Sequence, residues 1–218
     1  MTSDHRGRTR RLTTPRAAAL AGVLFALLFG AALVLIRLAL PEDGPPSSQW
    51  LRDGSTNLRV AAIMMPFAGI AFLWFMGVVR DGLGRYEDKF FSTVFIGSGL
   101  LFLAMMFLAV GVGAGLEGSG AGAESELAVF GQKVLLTVSK TYALRMAAVF
   151  MISLATIWLR TRLMPGWLAV ITYVMAVGLL LASDLSMWLV LAFPAWVLVV
   201  SVLLLSRAGV IDFDRDDR

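Results

Sequence analysis

Phe90–Leu116 reads FFSTVFIGSGLLFLAMMFLAVGVGAGL, a run without one charged side chain. A helix needs about 20 apolar residues to cross the roughly 30 Å hydrocarbon layer of a bilayer, and this run exceeds that length. The whole chain shares its character. Of 218 residues, 58% are apolar and only 16% are charged, and the mean hydropathy is +0.80. A soluble domain is nearer half apolar and one quarter charged. The composition therefore predicts a protein that crosses a membrane many times.

On either side of that run, Ala17–Ile36, Val60–Val79, Leu163–Ser183 and Leu185–Ser206 are also free of internal charge, and Val134–Leu159 is long enough but carries Lys140 and Arg145. The expected fold class is all-α: a polytopic membrane helix bundle of six transmembrane helices with both termini cytoplasmic. Residues 1–16 form a basic cytoplasmic tail, 17–206 the transmembrane domain and 207–218 a charged cytoplasmic tail, with spans at about 17–40, 60–79, 90–116, 134–159, 163–183 and 185–206. Only Ser183 and Asp184 separate the last two, which predicts a tight helical hairpin. No internal repeat accompanies the division into six.

Orientation follows from the side on which Lys and Arg accumulate. Thirteen fall on the side of the two termini, including Arg6, Arg8, Arg10, Arg11, Arg80, Arg85, Lys89, Arg160 and Arg162. Only Arg52, Arg59 and Lys133 fall on the other, together with the acids Glu42, Asp43, Asp53, Glu117, Glu124, Glu126 and Asp184. Arg10-Arg11 ahead of an apolar run has the form of a twin-arginine export signal. The run is too long for a signal core and no clean small-x-small cleavage site comes after it, so a retained first helix is expected.

The composition also excludes chemistry. Cysteine is absent, which removes disulfides, thiol exchange and thiol nucleophiles. The one histidine, His5, lies in the basic tail, so haem ligation, the usual zinc and copper sites and a Ser–His pair within the membrane have no residues to use. No metal, no cofactor, no catalytic residue and no enzyme activity are expected. The net charge of +4 reads as the cytoplasmic excess of a membrane protein, and nucleic acid is not an expected partner. The expected partners are membrane lipids and either a second copy of the chain or a partner membrane subunit.

Three groups of residues remain as candidates. Thr137, Thr141 and Arg145 are spaced i, i+4 and i+8 and so share one face of an α-helix, with Lys133 and Lys140 beside it. Lys140 lies 20 residues before Arg160, about 30 Å along a helix, and Arg145 about 7–8 Å deeper. Side chains lean toward a helix N-terminus, here outward, so Arg145 either snorkels to the outer headgroups, pairs with an outer acid, or, with Lys140, Thr141 and Thr137, holds an anionic solute in an outward-facing site. Arg37 leans the other way, back into the membrane, and is a secondary candidate for lipid phosphate. Ala18, Gly22, Ala26 and Gly30 make a small-residue stripe on the first helix, where another helix can approach closely. Pro66 and Pro194 are expected to kink their spans, and Trp158, Trp167 and Trp188 to lie in the interfacial belt.

Gly77, Asp81, Gly84 and Arg85 stand in the turn between the second and third spans. The turn resembles the cytoplasmic loop signature of major facilitator transporters, Gly-x-x-x-Asp-[Arg/Gly]-x-Gly-Arg. That resemblance implies a loop contact that switches as the helices rock, although Tyr86-Glu87-Asp88 departs from the usual basic continuation and six spans are half of that fold. A simple glycine-permitted turn is the other reading. Arginine outnumbers lysine 16 to 3, and the chain as a whole resembles the small polytopic membrane proteins of high-GC Gram-positive bacteria. This implies a bacterial plasma membrane and carries no activity with it. Two functions stay open: a non-enzymatic membrane component or accessory subunit, and a small-solute or anion transporter built on Arg145.

Overall fold

The computed structural model describes residues 14–39, 55–83, 89–118, 126–162, 164–182 and 187–207. Among them the chain is helical: α1 (Thr14–Ala39), α2 (Ser55–Leu83), α3 (Lys89–Gly118), α4 (Glu126–Leu136), a π-helical turn (Thr137–Tyr142), α5 (Ala143–Thr161), α6 (Gly166–Ala182), a 3-10 turn (Met187–Leu191) and α7 (Ala192–Arg207). The basic and charged tails through residue 13 and from 208, the loops 40–54 and 119–125, Gly84, Arg85 and the Ser183–Asp184 turn lie outside the described residues.

Five helical stretches are long and apolar enough to cross a membrane, and α6 is a shorter apolar helix. The stretch that carries Lys140 and Arg145 belongs to the five. It runs unbroken from Glu126 to Thr161, 36 residues, or about 54 Å, well beyond the hydrocarbon thickness. By contrast α6 has 17 residues, about 25 Å. The break that shortens it is local. Arg162 takes a left-handed conformation, φ 51°, and ends α5. Pro165, three residues on, has no N–H to give a helix, and its carbonyl accepts the Leu168 N–H at 3.0 Å as α6 begins.

The helices alternate in direction. Arg59 at the start of α2 donates to Glu117 at the end of α3, 2.7 Å, while Arg160 near the end of α5 lies 4.6 Å over the ring of Phe91 at the start of α3. The bundle therefore has an Arg37 end and an Arg80 end. α1 packs chiefly on α2 and α7, α3 on α5, and α5 on α6. The last two helices touch through a hydrogen bond from Trp196 Nε1 to Thr172 Oγ1, 2.9 Å, yet each has its main partner elsewhere. The last two helices are thus neighbours in sequence without being each other's closest neighbours in space.

Aromatic rings fill the middle. Phe25 and Phe29 of α1, Phe72 and Phe75 of α2, Phe95 and Phe102 of α3, Phe150 of α5 and Phe193 of α7 are fully buried. Phe72 lies at the hub, with ring centroids 4.6 Å from Phe25, 5.2 Å from Phe150, 5.7 Å from Phe102 and 5.8 Å from Phe193. Tilted and edge-on pairs at these separations are the favoured arrangements of aromatic rings. Trp158 joins this interior, buried with its ring 6.1 Å from Trp196, so it is a packing residue and not part of the interfacial belt. Trp167 and Trp188 are exposed. The outward faces are apolar too, with Leu27, Ile63, Phe67, Trp74, Val174 and Leu181 exposed. A bundle apolar within and without is the architecture of a multi-pass membrane protein.

The two prolines act differently. Pro66 sits inside α2. Pro194 stands in the first turn of α7, where a missing N–H costs little, and the residues just before it are wound as the 3-10 turn. Gly22 and Ala26 are buried on α1. A Cβ on Gly22 would collide with Ser201 Oγ of α7 and lie 2.8 Å from Phe75 Cδ2 of α2, so this glycine is where three helices meet. Gly30, two turns further on, faces open space. Ala18 lies on the same helix, and its side chain is outside the described set.

Candidate functional site

The polar stripe of the charged span does not keep an α-helical register. Thr137–Tyr142 is wound as a π-helix, which inserts residues into the turn and rotates the later part of the helix relative to the earlier part. Thr-Val-Ser-Lys-Thr-Tyr is dominated by β-branched, hydroxyl and aromatic side chains, all weak helix formers, so little in it favours the α-helical register. Thr137 is exposed, while Lys140 and Arg145 are half-buried. Thr137, Thr141 and Arg145 therefore do not stack as a continuous i, i+4, i+8 row.

A cation does reach the interior, from another helix. Arg37 of α1 is only 7% exposed. It borders a space lined by Leu33 and Ile36 of its own helix, Leu58 of α2, Met106 of α3 and Ser139 of the π-turn. Ser139 is buried and its hydroxyl approaches the Leu136 carbonyl at 3.5 Å. The space measures about 10 Å³, close to the room one water needs. A guanidinium has donors only, and a hydroxyl can accept from it directly or through one water. This chamber lies where α1 faces the π-turn and has no room for a solute. One turn before the π-segment, Gln132 is also buried, and its Oε1 has no hydrogen-bond partner.

Arg37 reads in sequence as a residue at a helix edge. Its one informative sign was direction: on α1 the lean toward the N-terminus carries the side chain back into the membrane. Ser139 and Gln132 gave no sign, being single polar residues within apolar surroundings.

At the opposite end, α2 continues through Gly77, Arg80 and Asp81 to Leu83. Those residues therefore belong to a helix end, and Gly84 and Arg85 lie outside the described residues. Gly77 and Asp81 are exposed. Arg80 borders a large open groove with Lys89 of α3. No family model matches the chain, and neither a curated protein nor a solved structure does.

Proposed function

We propose that this chain is a non-enzymatic component of a bacterial plasma membrane, an accessory subunit that crosses six times with both termini in the cytoplasm. In that orientation the Arg37 end faces outward and the Arg80 end inward, following the excess of cations on the side of the termini. The observation that carries the reading is the filled interior. Eight phenylalanines from five helices occupy the centre, and the buried Arg37 borders a space of only water size. A packed interior of this kind suits a protein that holds its shape beside a partner. The test is to extract the full chain in mild detergent with its native lipids and weigh it by native mass spectrometry. An assembly heavier than one 23.6 kDa chain is expected, with a second copy or another membrane subunit retained. A lone chain with lipid only would overturn the subunit reading.

An outward-facing anion site at Arg145, Lys140, Thr141 and Thr137 is the second reading. It is favoured by the π-turn, since such turns recur at functional sites. A bound anion retained by the wild type and lost in Arg145→Ala would establish it, and equal retention would remove it.

A further inference from the structure

The groove at the Arg80 end is unlike the Arg37 chamber in size and in the order of its lining. Its open volume is about 550 Å³, within the range of ligand pockets. Arg80 contributes from the last turn of α2, and α3 contributes Lys89, Ser92, Thr93, Ile96 and Gly97. Those five positions follow the i, i+3, i+4, i+7, i+8 spacing of one helical face. Read along that face, the lining passes from a cation to two hydroxyls to an apolar floor. Thr93 donates its hydroxyl proton to the Lys89 carbonyl at 2.7 Å, which leaves its oxygen to accept. Gly97 has nothing within 4 Å of where a Cβ would stand, so the floor is open for about 12 Å along α3 from Lys89. Arg160, 4.6 Å over Phe91, holds a third cation against the same end of α3.

From this gradient we infer that the groove between α2 and α3 binds one anionic phospholipid. Arg80 and Lys89 take the phosphate, Thr93 accepts from a headgroup hydroxyl, and an acyl chain runs over Ile96 and Gly97. A free anion would use the cations but not the apolar floor. The cytoplasmic leaflet, where basic pockets between helices meet anionic headgroups, is assigned through the orientation proposed above, whereas the binding itself is independent of it and of any partner.

The test uses the full chain in neutral detergent, with phosphatidylglycerol, phosphatidylcholine or inorganic phosphate added, and reads bound lipid by native mass spectrometry. One phosphatidylglycerol is expected to be retained in preference to phosphatidylcholine, and inorganic phosphate at equal concentration is expected not to displace it. The Arg80→Gln/Lys89→Gln pair should lower phosphatidylglycerol affinity more than about tenfold, two cations near an anionic group being worth about fivefold each. Gly97→Leu keeps both cations, suits a helix and fills the floor, and is expected to weaken the lipid severalfold, so the proposal stays testable if the double variant misfolds. Equal retention of the two lipids, displacement by inorganic phosphate, or wild-type retention in either variant would overturn it.

Discussion

At the Arg37 end of the bundle a guanidinium is buried beside a space of about 10 Å³ that a buried serine also lines. At the other end Arg80 stands exposed with Lys89 at the mouth of about 550 Å³. The same side chain thus serves two purposes. Inside an apolar bundle a cation is costly and must be held by its surroundings, so its place is fixed by the fold. At a helix end the head lies near the surface while the aliphatic stem covers apolar surface, so a ligand can approach it from outside the bundle. A charged residue in a membrane sequence is therefore read by where its side chain leans as much as by its depth.

Truncating both arginines puts this contrast under the greatest load. Arg37→Ala should destabilise the detergent-solubilised protein by about 3 kcal/mol, since it empties a buried site and strips whatever holds the guanidinium. Arg80→Ala, at an exposed position, should stay within about 0.5 kcal/mol. Thermal unfolding measures both, and similar losses would erase the distinction between the ends. Arg37→Met restores volume without charge; recovery of most of the loss would assign it to packing.

Next in size is a glycine pair on α3. A Cβ on Gly113, toward the Arg37 end, would lie 3.1 Å from Leu135 and 3.8 Å from Leu58, whereas Gly97 toward the other end meets nothing within 4 Å. Gly113→Leu should therefore cost roughly 1–3 kcal/mol by overpacking, while Gly97→Leu should gain up to about 1 kcal/mol from helix propensity. Opposite signs would support one closed and one open end, and equal losses would contradict it. Gln132 adds a smaller expectation of the reverse sense. Its Oε1 is buried without a hydrogen bond, so Gln132→Leu should raise stability by about 1 kcal/mol; a loss would mean that the amide supports the closed end in another way.

Much of the frame was legible because charge is excluded from the spans. The run 90–116 became α3 at 89–118, and 17–36 and 60–79 lie within α1 and α2, whereas of the last span only 192–206 is α-helical, behind the 3-10 turn at 187–191. The charged span grew at its start, from 134 to 126, because Gln132 and Lys133 lower the hydropathy without stopping a helix. The π-turn was illegible, since winding depends on backbone bonding that an apolar pattern does not encode. Trp158 was misplaced for a related reason: an indole near a span end fits the belt by depth, and only the neighbouring Trp196 ring shows that it faces inward. Arg145 stood out by depth alone, while the cation that the fold encloses among the described residues is Arg37.

The smallest expected effect concerns the ion pair that ties α2 to α3 beside the closed end. Arg59 and Glu117 meet at 2.7 Å, but the arginine side chain is 72% exposed and the glutamate 16%. Water screens such a pair, so either Arg59→Gln or Glu117→Gln should cost less than about 1 kcal/mol. The two losses should differ in order. Without Arg59, a largely covered carboxylate loses its donor and keeps its desolvation cost, whereas without Glu117 the arginine simply returns to solvent. Arg59→Gln should therefore be the more damaging, and added salt should shrink the loss. If Glu117→Gln proves worse, the glutamate supports the closed end through contacts beyond this pair, and the contrast between the two ends would extend to their surface charges.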